Sequence, residues 1–353
     1  MPDDVARLPW TEEQWATIQR IVQESARKAR VASSFLPLVG PLPDGQATVP
    51  ALRMDEEDLD ERPQRGESDT RLEVDDGECL RLTTIACHVY LTTQQAADAE
   101  LSSAKQMLGR AADIIGRLED AIVFTGQDTD GEPIGVPPGL PQVYTVQGGQ
   151  MNAGLLDAQC RCTVNSDDPE RLSDNLVTTV VAAIQSLEGK GHYGPFACVL
   201  GHDLYRIANT PNRSLVLPSD RIVPFLDGGP LRRSSVIPRY QGVVVALAGS
   251  PIDLVVAKDV HVKYLQLTLE PRYVLRVSER LVLRIKQKGA VCTLTADVKA
   301  VGDENPCRET TTDETTTEEK QGKTTKDEKE GKRTGRRRTT PASESATSDE
   351  NAS

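Results

Sequence analysis

The chain has 353 residues, enough for one large domain or two of ordinary size with a well-buried core. Its net charge of −12 excludes a surface built to bind nucleic acid in bulk, because phosphate binding needs clustered lysine and arginine. Aromatic residues make up only 4%, so the core must rest on Val, Leu, Ile and Ala.

The seven cysteines (Cys79, Cys87, Cys160, Cys162, Cys198, Cys292, Cys307) are odd in number and scattered. Residues 1–8 carry Asp3, Asp4 and Arg7 and no apolar run, so they do not read as a secretory segment. No stretch reaches the roughly 20 apolar residues that a membrane helix needs. Together these features predict a reduced, cytoplasmic protein with no membrane partner.

Residues 11–30 read as a helix with a strong start signal. Thr11 and Gln14 have capping-box spacing, and Trp10 and Trp15 stand where a hydrophobic staple would hold them. Trp15, Ile18, Val22 and Ala29 form an apolar face with Ile21 beside it. Such a face suits an ordinary helix packed on its own domain, or a terminal arm docked elsewhere. Residues 43–71 are acidic, bear Pro and Gly and are poor in apolar residues, which predicts an extended excursion. Residues 79–91 alternate and are rich in β-branched types, so they read as a strand.

A long helix is predicted over about 94–123. Leu101, Leu108, Ile115 and Ile122 hold one heptad position, and Ala104, Ala111 and Leu118 the position three residues later. That spacing draws one apolar stripe along about six turns. The segment ends at the acidic pair Glu119-Asp120, taken as available for local caps or neighbours, and at Gly126. A Gly/Pro-rich linker follows over 126–139.

Residues 141–265 suggest a compact α/β unit. It has a helix over 174–187, a buried strand over 196–200 and a helix over 203–208 with Asp203 as its N-cap. Strands over 241–248 and 252–257 flank the turn Gly249-Ser250-Pro251. Residues 265–294 alternate through Tyr273, Leu275 and Val277, then Leu281, Leu283 and Ile285. This predicts a pair of long antiparallel strands returning to the first subdomain. From about residue 302 the chain is dominated by Thr, Glu, Lys, Asp and Ser, which predicts a disordered charged tail.

The search for chemistry returns little. Cys160-Arg161-Cys162 is a close pair, but no second Cys/His pair completes a zinc site. The four histidines lack helical ligand spacing with one another, and no phosphate-cradling loop, dinucleotide fingerprint or nucleophile elbow occurs. The acidic clusters at 55–58 and 75–76 lack the glycine and spacing of a calcium loop. The sequence predicts no catalytic residue, no metal site, no cofactor and no enzyme.

Four segments in order resemble the encapsulins, nanocompartment shell proteins built on the tailed-phage major-capsid fold of Hong Kong 97 type. They are Thr11-Glu12-x-Gln14-Trp15-x-x-Ile18 with Phe35 and Gly40-Pro41, and the helix end Glu119-Asp120-x-Ile122-x-Phe124-x-Gly126. Gly194-Pro195-Phe196-Ala197-x-Val199-Leu200 with Asp203-Leu204-Tyr205 is the third. Lys258-Asp259 with Tyr264, Glu279-x-x-x-x-Arg284 and Ala290 is the fourth.

The resemblance implies an α+β fold with an N-terminal arm (1–42), an extended loop (43–78) and a peripheral domain with a spine helix (79–134). An apical domain (135–265), closing strands of the peripheral domain (266–301) and the tail (302–353) would complete it. It implies a self-assembling homo-oligomer of many identical subunits in a closed icosahedral shell, which binds a cargo enzyme through a short terminal peptide.

The implied lumen-facing cargo groove comprises Trp15, Ile18, Val22, Phe35, Leu36 and Leu38. It would be more apolar than usual, because Ser33 and Pro37 stand where the family often has Arg and Asp. Asn212, Arg213 and Ser214 fall at the position of the family's five-fold pore loop, where Arg213 would favour anions. Some members hold flavin through an aromatic residue. Tyr90 and Leu91 lie in that neighbourhood, but nothing in the sequence supports flavin here. The competing expectations are a viral or prophage major capsid protein that packages DNA, and a soluble enzyme with an unrecognised site.

Overall fold

The computed structural model describes residues 8–54, 74, 76–165, 171–211 and 216–296. Most of the expected extended loop, the expected pore residues Asn212, Arg213 and Ser214, and the expected tail over 302–353 lie outside the described residues.

In chain order the helices are α1 (Glu12–Ala29), α2 (Thr93–Ala96), α3 (Ser102–Thr125), α4 (Leu172–Gly189), α5 (His202–Ala208) and α6 (Pro218–Ile222). The strands are β1 (Leu38–Val39), β2 (Thr48–Pro50), β3 (Cys79–Arg81), β4 (Thr83–Thr92), β5 (Tyr144–Gly148) and β6 (Cys160–Val164). They continue as β7 (Phe196–Leu200), β8 (Leu231–Arg233), β9 (Gln241–Ala246), β10 (Ile252–Leu267), β11 (Arg272–Ile285) and β12 (Val291–Ala296).

Two five-stranded sheets organise them, with orders β1-β10-β11-β4-β5 and β6-β12-β9-β7-β8, and β2 pairs separately with β3. One continuous core underlies both sheets. A smaller cluster of Val49, Ala51, Leu80, Leu82, Val255, Ala257 and Val282 sits at the base of the loop that carries β2 and β3.

Helix α3 is the centre of that core. It spans about 36 Å at 1.5 Å per residue, and it packs between α1 on one side and β4 and β11 on the other. Fifteen of its 24 residues are buried, so the heptad stripe widens into nearly all-round burial. Gly116 lets α1 approach closely, since a Cβ there would lie 3.0 Å from the Ala26 carbonyl oxygen and 3.1 Å from the Ala29 Cβ. Gly126 ends the helix at φ +83°, where a side chain would also meet the Asn152 carbonyl.

Several expectations need correction. The long helix begins at Ser102, not Gln94. Thr92 and Gln95 form a capping box for the separate short helix α2, and Asp98 accepts the Ser102 amide at 2.9 Å. Between them the chain turns at Leu101, which has φ 54°. Local side-chain acceptors therefore interrupted a continuous apolar pattern.

The N-cap of α5 is Gly201, and Asp203 instead sits in the first turn, 2.8 Å from Arg239 and 3.6 Å from Arg206. The alternating stretch over 273–285 is the single strand β11, paired antiparallel with β10 and β4.

The division expected at residue 265 falls inside β10, and β12 pairs with β6 and β9 of the other sheet. β5 likewise joins β4 in the first sheet. Alternation reports which faces are buried but carries no information about the partner strand.

Candidate functional site

The N-terminal helix is fixed to the body by polar contacts at both ends and an apolar face between them. The Thr11–Gln14 capping box forms as the spacing required, and Trp10 meets Trp15 edge-on with ring centroids 5.0 Å apart. Trp10 Nε1 donates to the Ala96 carbonyl at 2.9 Å. Gln19 bridges to β10, donating to the Val260 carbonyl and accepting from the Val262 amide. Ile18, Val22 and Ala26 are fully buried in the α1–α3 contact. Of the two readings open to this helix, packing on its own domain is the one observed.

This packing corrects the expected cargo groove. Ile18, Val22 and Leu36 belong to the core and present no surface. Phe35 is half-buried and stacks on Phe124 at 6.5 Å, and Trp15 is half-buried beside Trp10. Only Leu38, on the edge strand β1, is exposed, at 54%. Tyr90 is exposed on β4 and borders an open groove of 840 Å³ between that strand and α3, whereas Leu91 is fully buried.

At the C-terminal end of α1 lies a charged junction. Arg30 Nη1 stands 3.3 Å from Glu119 on α3, 3.1 Å from Glu279 on β11 and 3.1 Å from Asp259 on β10. The Glu119 and Glu279 side chains are fully buried. Asp120 accepts the amides of Val31 and Ala32 at 2.8–3.0 Å, which caps the turn after α1. The acidic pair at the helix end is thus an internal lock, not a surface for neighbours.

One cation faces three carboxylates, and their ionisation reflects it. Burial opposes the Arg30 charge, but Glu119, Glu279 and Asp259 outweigh it and hold the guanidinium pKa above its ordinary value. Burial pushes Glu119 up despite Arg30. Burial and the Glu119 charge together push Glu279 and Asp120 well above the carboxylate range. Glu119 Oε1 and Glu279 Oε2 find no donor among the described residues.

A second ionic junction ties the central hairpin to the base of the extended loop. Arg284 grips Asp253 through two 2.8 Å bonds, and Lys286 Nζ reaches the same carboxylate at 2.8 Å. Arg284 also donates to the Pro50 carbonyl on β2 at 3.3 Å. The sequence reading singled out Glu119, Asp259, Glu279 and Arg284 through the family resemblance, and missed Arg30, Asp253 and Lys286. An acidic pair within an apolar helix face was the available signal for Arg30, since a buried carboxylate requires a cation or a proton.

Comparison with known proteins bears on what this arrangement is for. Residues 148–282 match the Linocin_M18 family, described as an encapsulating protein for peroxidase. The chain is 27% identical over 303 residues to the type 1 encapsulin shell protein EncA of Myxococcus xanthus, covering 83% of this chain and 97% of that protein. The chain is thus similar to encapsulin shell proteins over most of its length.

Solved structures agree on the architecture. A virus-like particle from Pyrococcus furiosus superposes with a TM-score of 0.56 at 14% identity, over 80% of this chain and 100% of that one. The capsid of Myoviridae phage XM1 gives 0.50 at 14% identity, over 74% and 89%. The fold is the tailed-phage major-capsid fold of Hong Kong 97 type, as expected.

Proposed function

We propose that the chain is the self-assembling subunit of a closed, icosahedral shell that encloses a cargo enzyme, and is not itself an enzyme. The observation that carries this reading is the match to nearly the whole length of a curated encapsulin shell protein. The reading of a DNA-packaging capsid rests only on likeness of fold at 14% identity, and the net charge of −12 opposes it.

The surface supports assembly. Leu265, Leu267 and Leu269 are exposed at the free end of the β10–β11 hairpin, and Val223 and Phe225 are exposed beside α6. Covering a fully exposed leucine contributes about 1.5–3 kcal/mol and a partly exposed one less, and such contacts repeated around rotation axes suit a closed shell. A subunit held by several neighbours is retained by all of them together.

Cargo docking is assigned to what α1 and its following turn leave accessible: Leu38, with Trp15 and Phe35 at the margin. A peroxidase is the cargo class that the family description favours, and a short apolar terminal peptide is its proposed docking element. The cytoplasm is the proposed compartment. Arg213 is proposed to place positive charge beside a pore, and Arg213→Glu should then slow entry of small anions into assembled shells.

Electron microscopy of the purified protein tests the central reading. Closed particles of uniform diameter are expected, and a monomer at micromolar concentration would overturn it. Leu38→Asp should lower cargo loading while leaving particle diameter unchanged.

A further inference from the structure

Three thiols meet on one face of the second sheet. Cys160 and Cys162 alternate with exposed Arg161 along β6, so both point to the side covered by α4. The parallel register of β6 and β12 sets Cys292 opposite Cys160. The Sγ atoms of all three lie within 4.8 Å of one another, with Cys162 and Cys292 3.5 Å apart. No element of the sequence near Cys160 announces Cys292; only strand pairing brings it there.

We propose that Cys160, Cys162 and Cys292 form a binding site for a thiophilic cation, Cu(I), in three-sulfur coordination. Three sulfurs arranged trigonally at about 2.3 Å from a metal stand about 4 Å apart, and the observed spacing brackets that value. The donor count selects the metal. Among the described residues the group contains no His, Asp or Glu donor. Thiolates suit both zinc and Cu(I), but structural zinc sites are almost always closed by four protein ligands, so a set of three sulfurs favours Cu(I).

The surroundings fit a site that can be loaded. Cys160 and Cys162 are half-buried and form the rim, and Cys292 is fully buried and forms the floor. Ser186 Oγ on α4 lies 3.4 Å from the Cys160 sulfur, close enough to orient it from outside the donor set. Burial raises the thiol pKa of Cys162 and Cys292, and for Cys292 the neighbouring thiols raise it further. Without metal these groups therefore hold their protons. On binding, each thiol that ligates releases its proton to solvent and forms one Cu–S bond. Copper stays Cu(I), and nothing is oxidised or reduced. The site does not depend on the shell reading, because all three donors come from one chain.

Purified full-length protein, reduced and kept anaerobic, should be titrated with Cu(I) against a competing Cu(I) chelator. One copper per chain is expected, with three sulfur neighbours and no nitrogen or oxygen neighbour in X-ray absorption. Cys162→Ser at the rim should weaken binding by more than about tenfold. Cys292→Ser should do the same if it folds. The double variant Cys79→Ser/Cys307→Ser should bind as the parent does. Thiols that merely pack would give no chelator-resistant copper in the parent protein, and that result overturns the proposal. Unchanged affinity in Cys162→Ser, or a four-donor zinc site in a protein that rejects Cu(I), would overturn it equally.

Discussion

The two ionic junctions around the central hairpin are built from the same residue types with opposite balance. At the arm junction, one guanidinium serves Glu119, Glu279 and Asp259, and one buried oxygen of each glutamate has no donor among the described residues. At the loop base, two cations serve the single carboxylate of Asp253, and their spare donors reach the Pro50 and Ser250 carbonyls. The first is short of positive charge. The second has a surplus of it. Both fasten a peripheral segment to β10 and β11.

The most severe way to break this contrast is Arg30→Ala. It strands buried carboxylates without their cation, and breaking such a pair costs about 3–5 kcal/mol. Chemical denaturation should show that loss together with failed particle assembly; a change below 1 kcal/mol would mean that protons alone satisfy the cluster. Arg284→Ala should cost about 3 kcal/mol, with proteolysis near residues 50–54 as its local signature. Gly116→Val drives a branched side chain against the Ala26 carbonyl, and overpacking of this kind costs about 1–3 kcal/mol. Separation of α1 from α3, read as faster hydrogen exchange in residues 18–29, should accompany it.

The pH response sharpens the comparison. The folded-state pKa values of Glu119, Asp120 and Glu279 lie above their unfolded values, so the folded chain binds more protons. Their contribution is therefore complete in acid below the ordinary carboxylate range of about 4. It is lost as pH rises from there through the folded values. Glu279→Gln removes one of the raised carboxyls and keeps a donor in its place, so Tm should fall less steeply than in the parent as pH rises above about 4. Each tenfold displacement of the proton equilibrium is worth about 1.4 kcal/mol; parallel curves would show that Glu279 is ionised throughout. The smallest effect belongs to Thr11→Ala, which removes the capping box of α1 for about 1 kcal/mol and should leave the pH slope untouched.

Much of the fold was legible where a local cause acts locally. The α1 start, the strand over 196–200 and the Gly126 stop each follow from residues adjacent in sequence, and each is found as read. Legibility failed where pairing partners are remote. The periodicity over 265–294 identified buried faces but split the single strand β11 into a pair and assigned the whole stretch to the first subdomain, whereas β12 lies in the other sheet. The candidate groove failed for a related reason. An apolar helix face looks the same whether it awaits a partner or already meets its own chain, and Ile18 and Val22 already meet α3.

The sequence by itself determined that this chain has a capped N-terminal helix, a long buried helix and an acidic pair at its end, because capping, periodicity and charge are properties of neighbouring residues. The tertiary structure decided what those parts are used for. It brought Arg30 to Glu119 across 89 positions and to Glu279 across 249, and it set Cys292 beside Cys160 and Cys162. Those meetings depend on strand register and helix packing, which are fixed by the whole core and written in no single segment.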